Sequence, residues 1–308
     1  MGKNYEYNST RRKAVMANFT NLYKKMFRET LYPQGYKLWK SVFYKETESL
    51  CYFIHGKQNI HALVPNTIQI YIEIVPYCID IEDNNYDPRE DGTDIIKIYS
   101  ALFPEILIEN KIIDYYDSRL LATNEETIYK SLCNLQEDFV SIILPYVQKM
   151  NDLNYLYEEK FNVWTFHPNE NRKHINYFLF GLSLKLHKYD TATPYLEHKF
   201  KWYTSLINTM EARLTELEKG NAAAVFGIPT TGDFVKKLLK RNPSFIESHI
   251  TSAIDTIKVS ENEIKKYQHI KEAIMKRNDE YVDNYIYEIE KKSKKYIRCM
   301  IEGEMNKS

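Results

Sequence analysis

Between residues 67 and 74 the chain reads Thr-Ile-Gln-Ile-Tyr-Ile-Glu-Ile, and this alternation constrains the fold more than any other feature. Successive side chains of a strand point to opposite faces. Ile68, Ile70, Ile72 and Ile74 therefore form one apolar row that must face a core, while Gln69 and Glu73 face out. A slip of one residue would expose all four isoleucines, so the register is strongly set. An amphipathic helix is expected over residues 14–31, with Phe19, Leu22 and Met26 on its apolar side and a stop at Pro33-Gln34-Gly35. Tyr36 to Lys45 then alternates as one strand, with Tyr36, Leu38, Val42 and Tyr44 on one side and Trp39 and Phe43 on the other. Cys51 to His55 reads as a second strand, ended by Gly56. A helix, a glycine stop and a short antiparallel sheet place the first half in the α+β class.

Residues 80–94 form an acidic loop, followed by weaker strand candidates at Ile95–Tyr99 and Ile106–Ile113. Thr123 with Glu126 fits a capping box. The helix behind it carries Ile128, Leu132, Leu135, Phe139 and Ile142 at spacings of about four and three, a stripe whose natural partner is the isoleucine face of the sheet. Pro145 should end or kink that helix. Beyond residue 165 the strand signals stop. Helices are expected at His174–Lys188, Tyr195–Lys219, Phe234–Arg241, Ser244–Ile257 and Glu261–Ile301, with a hinge over Gly220 to Gly232. Two domains follow, an α+β domain over 1–165 and an all-helical one over 166–308. The last helix has a thin stripe (Ile264, Tyr267, Ile274, Tyr281, Tyr285, Ile289, Tyr296), suited to one neighbouring helix or to a homodimer with a second copy.

The steps Gly35-Tyr36-Lys37 and Val42-Phe43-Tyr44-Lys45, the strand from Thr67 to Ile74 and the run Leu144-Pro145-Tyr146 together resemble a bacterial family, domain of unknown function four-three-zero-four, over roughly residues 19–160. Val75-Pro76 and Tyr115-Tyr116 depart from its pattern, which favours a glycine-containing exit and tryptophans there. The resemblance implies a fold and a bacterial source, and no reaction. Tyr177 to Gly181 with Ala192 to Leu196 echoes one tetratricopeptide unit, but no period of that length repeats, so a plain helical hairpin is the better reading.

The chemistry is mostly exclusion. Lys plus Arg and Asp plus Glu number 42 each, and this balance disfavours a dedicated nucleic-acid binder. Charges interrupt every apolar run before it could span a membrane, and the first residues lack a signal core. Cys51, Cys78, Cys133 and Cys299 form no CxxC pair and read as buried thiols of a reducing cytoplasm. The 26 tyrosines, with abundant Ile, Lys and Asn, match a bias toward AT-rich codons.

Asp83, Asn85, Asp87 and Asp94 sit at calcium-loop spacing, but Pro88 stands where that loop needs glycine. Gly227 to Gly232 has phosphate-loop spacing, but Asp233 stands where lysine must be. No histidine set has metal-ligand spacing. No cofactor, metal or catalytic residue is assigned, and whether the chain is an enzyme is left open. The favoured function is a non-enzymatic, cytoplasmic module that binds another protein, with Trp39 and Phe43 as the candidate contact surface. The alternatives are a hydrolase whose site lies between the two halves, using the acidic loop with His55 or His61, and nucleic-acid binding. The last would use Lys236, Lys237, Lys240 and Arg241, or Lys291, Lys292, Lys294, Lys295 and Arg298, with Tyr287 and Tyr296 nearby.

Overall fold

The computed structural model describes residues 19–59, 67–81, 124–158, 173–219 and 243–303. A four-stranded antiparallel sheet is followed by helices, the α+β arrangement expected. The elements are helix α1 (19–31), strands β1 (Lys37–Trp39), β2 (Val42–Glu46), β3 (Leu50–Asn59) and β4 (Thr67–Pro76), then helices α2 (Glu125–Asp138), α3 (Leu144–Lys149), α4 (Lys173–Lys185), α5 (Tyr189–Glu218), α6 (Pro243–Met275) and α7 (Asp279–Glu302). The strand candidates at 95–99 and 106–113, the acidic loop from residue 82 onward, the hinge at 220–232 and the helix at 234–241 lie outside the described residues.

The strands pair in sequence order, β1-β2-β3-β4. Tyr36 to Lys45 is not one strand. The chain reverses at Lys40-Ser41, with Trp39 opposite Val42 and Leu38 opposite Phe43. Lys40 takes a left-handed φ of 56° to make the reversal, without the glycine or asparagine that usually announces such a turn. Nor does Gly56 end its strand. β3 runs on to Asn59 and pairs with β4 from Leu50↔Pro76 to Asn59↔Thr67. Gly56 is there because α1 lies against it: a Cβ at this position would stand 3.0 Å from Tyr23 Cδ2 and 3.2 Å from Phe19 Cζ. A strand glycine often marks such a close approach.

Helix α1 buries Phe19, Tyr23, Phe27 and Leu31, each four residues from the last, while Leu22 and Met26 are only half-buried. The Tyr23 hydroxyl donates to the Ile54 carbonyl at 3.1 Å, and its ring meets Phe43 edge-on at 5.6 Å. Phe27 meets Phe139 at 5.5 Å, and the Tyr52 hydroxyl donates to the Val147 carbonyl. Thus α1 and the helices after residue 124 share the face that carries Phe43, Tyr52, Ile54, Ile72 and Ile74, as the stripe on α2 required. The side chains of Ile68, Gln69 and Ile70 are outside the description.

The opposite face is covered too. Val42, Phe53, His55, Glu73 and Val75 are all buried there. Glu73 does alternate away from the isoleucines, but it is 1% exposed rather than facing water.

Asn124, not Thr123, caps α2. Its side chain accepts from Thr127 N at 2.9 Å, and Thr127 Oγ1 accepts from Asn124 N at 2.9 Å. Pro145 does not end the helical run. A π turn over Phe139–Ile143 comes first, with Leu144 N donating to Phe139 O. The wider turn makes room for a ring that would otherwise strike the carbonyl four residues back. It also moves the buried position from Ile142 to Ile143.

The chain divides into two compact units, Met1–Leu186 with Tyr285–Ser308, and His187–Asn284. This is a different division from 1–165 and 166–308: most of the last helix belongs with the sheet. Ser293 Oγ donates to the Ile79 carbonyl at 2.6 Å, Lys292 pairs with Asp80 at 3.1 Å, and Lys294 Nζ lies 4.9 Å from the centre of the Tyr77 ring. The same stretch after β4 receives Gly181 of α4, where a Cβ would stand 2.6 Å from the Cys78 carbonyl oxygen. The buried side of α7 carries Val282, Ile286, Ser293, Ile297 and Met300, one position on from most of the residues expected.

In the other unit α5 and α6 pack along their length. A pattern at alternate steps of four and three runs along both: Leu196, Phe200, Tyr203, Ile207, Met210, Leu214 and Leu217 on α5, and Ile250, Ala253, Ile257, Ser260, Ile264, Tyr267, Lys271 and Ile274 on α6. Leu196, Leu217, Ala253, Ser260, Tyr267 and Ile274 of these are buried and the rest half-buried. Tyr203 stacks on Tyr267 at 6.1 Å, and Lys271 Nζ lies 5.7 Å from the centre of the Phe200 ring. These cross-pairs run in opposite senses, so this is an antiparallel two-stranded coiled coil. At 30 and 33 residues the helices are about 45 and 50 Å long. The stripe read on the last helix is thus covered by α5 over its α6 portion.

No break occurs near Ser260, where two helices were expected. The chain turns at Lys276-Arg277-Asn278 instead. Asn278 N donates to Ala273 O at 2.8 Å and Arg277 N to Ile274 O at 3.1 Å. Arg277 takes the left-handed φ of 51° usually given to glycine in this Schellman stop. Asn278 Oδ1 then caps α7 by accepting from Tyr281 N.

Candidate functional site

Trp39 and Phe43 do not form a common surface. The reversal at Lys40-Ser41 puts them on opposite faces of the sheet, and both are buried, at 7% and 0% exposure. The hairpin hides what looks like simple alternation.

His55 is drawn into a pair that its spacing does not announce. β3 and β4 set His55 opposite Tyr71 and Phe53 opposite Glu73, so His55 and Glu73 are diagonal neighbours on one face. His55 Nε2 and Glu73 Oε1 share a hydrogen bond of 3.0 Å, and both groups are buried. A buried carboxylate must be hydrogen-bonded or leave a heavy desolvation cost, so the pair ties the two strands together. Asp83, Asn85, Asp87, Asp94, His61 and His167 lie outside the described residues, as does the side chain of His174. Among the described residues no three His, Cys, Asp or Glu side chains come together to hold a metal ion. Burial pushes the thiols of Cys51 and Cys78 well up, which makes them poor nucleophiles.

Two surface features stand out. The first is on α7. Lys291, Lys294, Lys295 and Arg298 line a hollow of about 520 Å³ together with Tyr287. Lys292, read with them in the sequence, points the other way to Asp80. Lys236, Lys237, Lys240 and Arg241 lie outside the described residues.

The second lies along one flank of the coiled coil. A groove of about 740 Å³ is walled by Trp202, Tyr203 and Leu206 of α5 and, on α6, by Asp255, Val259 and small residues such as Ser252, Thr256 and Ser260. Thr256 and Ser260 turn their hydroxyls back to the carbonyls of Ser252 and Thr256, so they offer few donors to a ligand. Trp202 is 41% exposed and Val259, on the α6 wall, is 60% exposed. Behind them Lys199 is ringed by Tyr195, Trp202 and Tyr203, with Nζ 5.4 to 5.9 Å from the three ring centres. Burial lowers its pKa, with Glu263 opposing and Lys266 adding to the shift. The ring of Trp202 is therefore held by a cation on one side and open on the other. Sequence reasoning missed this groove because its signal is a pairing of two helices. The available hint was the run of small residues on α6 facing large ones on α5.

Among the described residues no helix is long and apolar enough to cross a membrane. Comparison with known protein families, with curated proteins and with solved structures finds no match to this chain.

Proposed function

We propose that the chain is a non-enzymatic, cytoplasmic module that binds another protein, and that it does so through the flank of the α5–α6 coiled coil. The observation that carries this reading is the groove beside Trp202 and Val259. A two-stranded coiled coil with small residues along one flank accepts a third helix closely, because short side chains let helix axes approach within about 8–10 Å. Trp202, Leu206 and Val259 supply the apolar contact. Tryptophan is the side chain that most often dominates such an interface. The occupant is an amphipathic helix of the partner, seated in the groove. The resemblance to family four-three-zero-four bears only on residues 19–160 and stands beside this reading as a proposal about the sheet-bearing half.

The test is affinity capture from cell lysate with the wild type, Trp202→Ala and Val259→Glu, compared at equal folded protein. Both side chains are exposed enough for the variants to fold. A stoichiometric protein held by the wild type and lost by both variants supports the reading. The expected loss for Trp202→Ala is at least about 2 kcal/mol, or roughly thirtyfold in Kd. Equal capture by all three forms removes the groove from the interface.

A further inference from the structure

We propose that the outward face of α7 is a binding site for single-stranded nucleic acid, which it would hold by the phosphate backbone and one stacked base. Lys291, Lys294, Lys295 and Arg298 recur at steps of three and four, so one side of the helix presents all four cations. They meet on a single hollow of about 520 Å³. The stripe is about 10 Å long at 1.5 Å per residue, enough for successive phosphates of an extended strand. Tyr287, one turn before Lys291, is 60% exposed and opens on the same hollow. A basic groove with an aromatic platform at its end is the arrangement that tracks a single strand.

The state of each cation supports the assignment. Lys295 is exposed and has no ion pair among the described residues. Lys294 is held over the Tyr77 ring, which positions its charge without neutralising it. Lys291 pairs with Glu288 at 3.7 Å and Arg298 with Glu46 at 3.4 Å. Both of those lysine and arginine side chains are well exposed, and exposed pairs of this kind add little and are readily exchanged. The hollow also carries Glu290 and Glu302, but Glu290 is already engaged by Lys185 at 2.8 Å.

The other side of α7 discriminates between nucleic acid and an anionic membrane. Ile286, Ser293, Ile297 and Met300 are buried, and Ser293 is bonded to Ile79. The helix has no apolar stripe left to enter a bilayer, as a surface-lying membrane helix requires.

The experiment is fluorescence anisotropy of a labelled oligothymidine strand against the full chain over a salt series. Four neutralised phosphates predict a slope of log K against log salt of about −3, since each contributes about −0.7 on single strands. Lys291→Gln and Lys295→Gln should each shallow the slope by about 0.7. Tyr287→Ala should weaken binding about tenfold while leaving the slope unchanged. No binding at low salt, a flat slope, or unchanged binding in both lysine variants overturns the proposal. So does displacement of the strand by an equal concentration of inorganic phosphate, or capture by phosphatidylserine vesicles without binding of the strand.

Discussion

Replacing Gly56 by alanine puts the packing of α1 on the sheet to a test of sign. An alanine in mid-strand ordinarily stabilises, because it removes freedom from the unfolded chain, worth about 0.4–1 kcal/mol. Here the added Cβ would stand 3.0 and 3.1 Å from Tyr23 Cδ2 and Cε2 and 3.2 Å from Phe19 Cζ. The Tyr23 ring has no room to retreat. Tyr23 is pinned by its hydroxyl bond to Ile54 and lies 4.9 Å from Phe27 and 5.6 Å from Phe43 between ring centres. Forcing a methyl into a filled core costs about 1–3 kcal/mol, so Gly56→Ala should destabilise by a net of about 1–2 kcal/mol. Urea unfolding followed by circular dichroism should show a lower midpoint at an unchanged slope. In a Tyr23→Leu background the penalty should shrink, giving a coupling of at least about 0.5 kcal/mol. An alanine variant as stable as the wild type, or more so, would refute the close-approach account of this glycine.

Three further outcomes are expected. Arg277→Gly should stabilise the α6–α7 turn by about 0.5–1 kcal/mol, because Arg277 holds a φ of 51° at a cost of about 1–2 kcal/mol that glycine avoids; an unchanged melting temperature would count against it. With a thiol reagent on the folded protein, Cys51 and Cys78 should stay unreacted while Cys133 and Cys299 react, following their burial; mass mapping of the labelled cysteines decides. Burial is the leading cause that raises the phenol pKa values of Tyr23, Tyr36, Tyr52 and Tyr77. The folded values lie above the unfolded one, so their stabilising effect is complete below about pH 10 and falls as pH rises beyond it. A urea midpoint that held steady from about pH 9 to about pH 12 would contradict that ordering.

Periodicity carried the reading wherever one element faced one partner. The Thr67–Pro76 strand, the stripe on α2 and the helical second half follow from spacing alone, because burial on one side writes itself into the sequence. It failed where a second surface intervened. Glu73 alternates as a solvent-facing residue would, but it is buried and hydrogen-bonded to His55 on the neighbouring strand, a partner that spacing does not announce. Trp39 and Phe43 look like one face until Lys40 bends the chain without a turn residue to mark it. The α6–α7 break was misplaced before Glu261 because arginine occupies the left-handed position at 277, while Ser260, buried in the heptad, carries the helix straight through. Of the candidate sites, the basic stripe on α7 was legible and the groove beside Trp202 was not, since the groove exists only between two helices.

The bond from Ser293 to Ile79 and the pair of Lys292 with Asp80 join positions separated by 214 and 212 residues. On the ribosome this has a direct consequence. The strands leave the exit tunnel early, but the helix that covers Tyr77 to Ile81 arrives only after the whole α5–α6 hairpin. The hairpin, continuous in sequence, can form while the stretch from Tyr77 to Ile81 is still waiting for its cover. Left bare for that interval, Tyr77, Ile79 and Ile81, all buried in the finished fold, expose apolar surface to aggregation. Early termination near residue 285 would therefore harm the first part of the chain to be made, and nascent chains stopped there should be strong chaperone substrates.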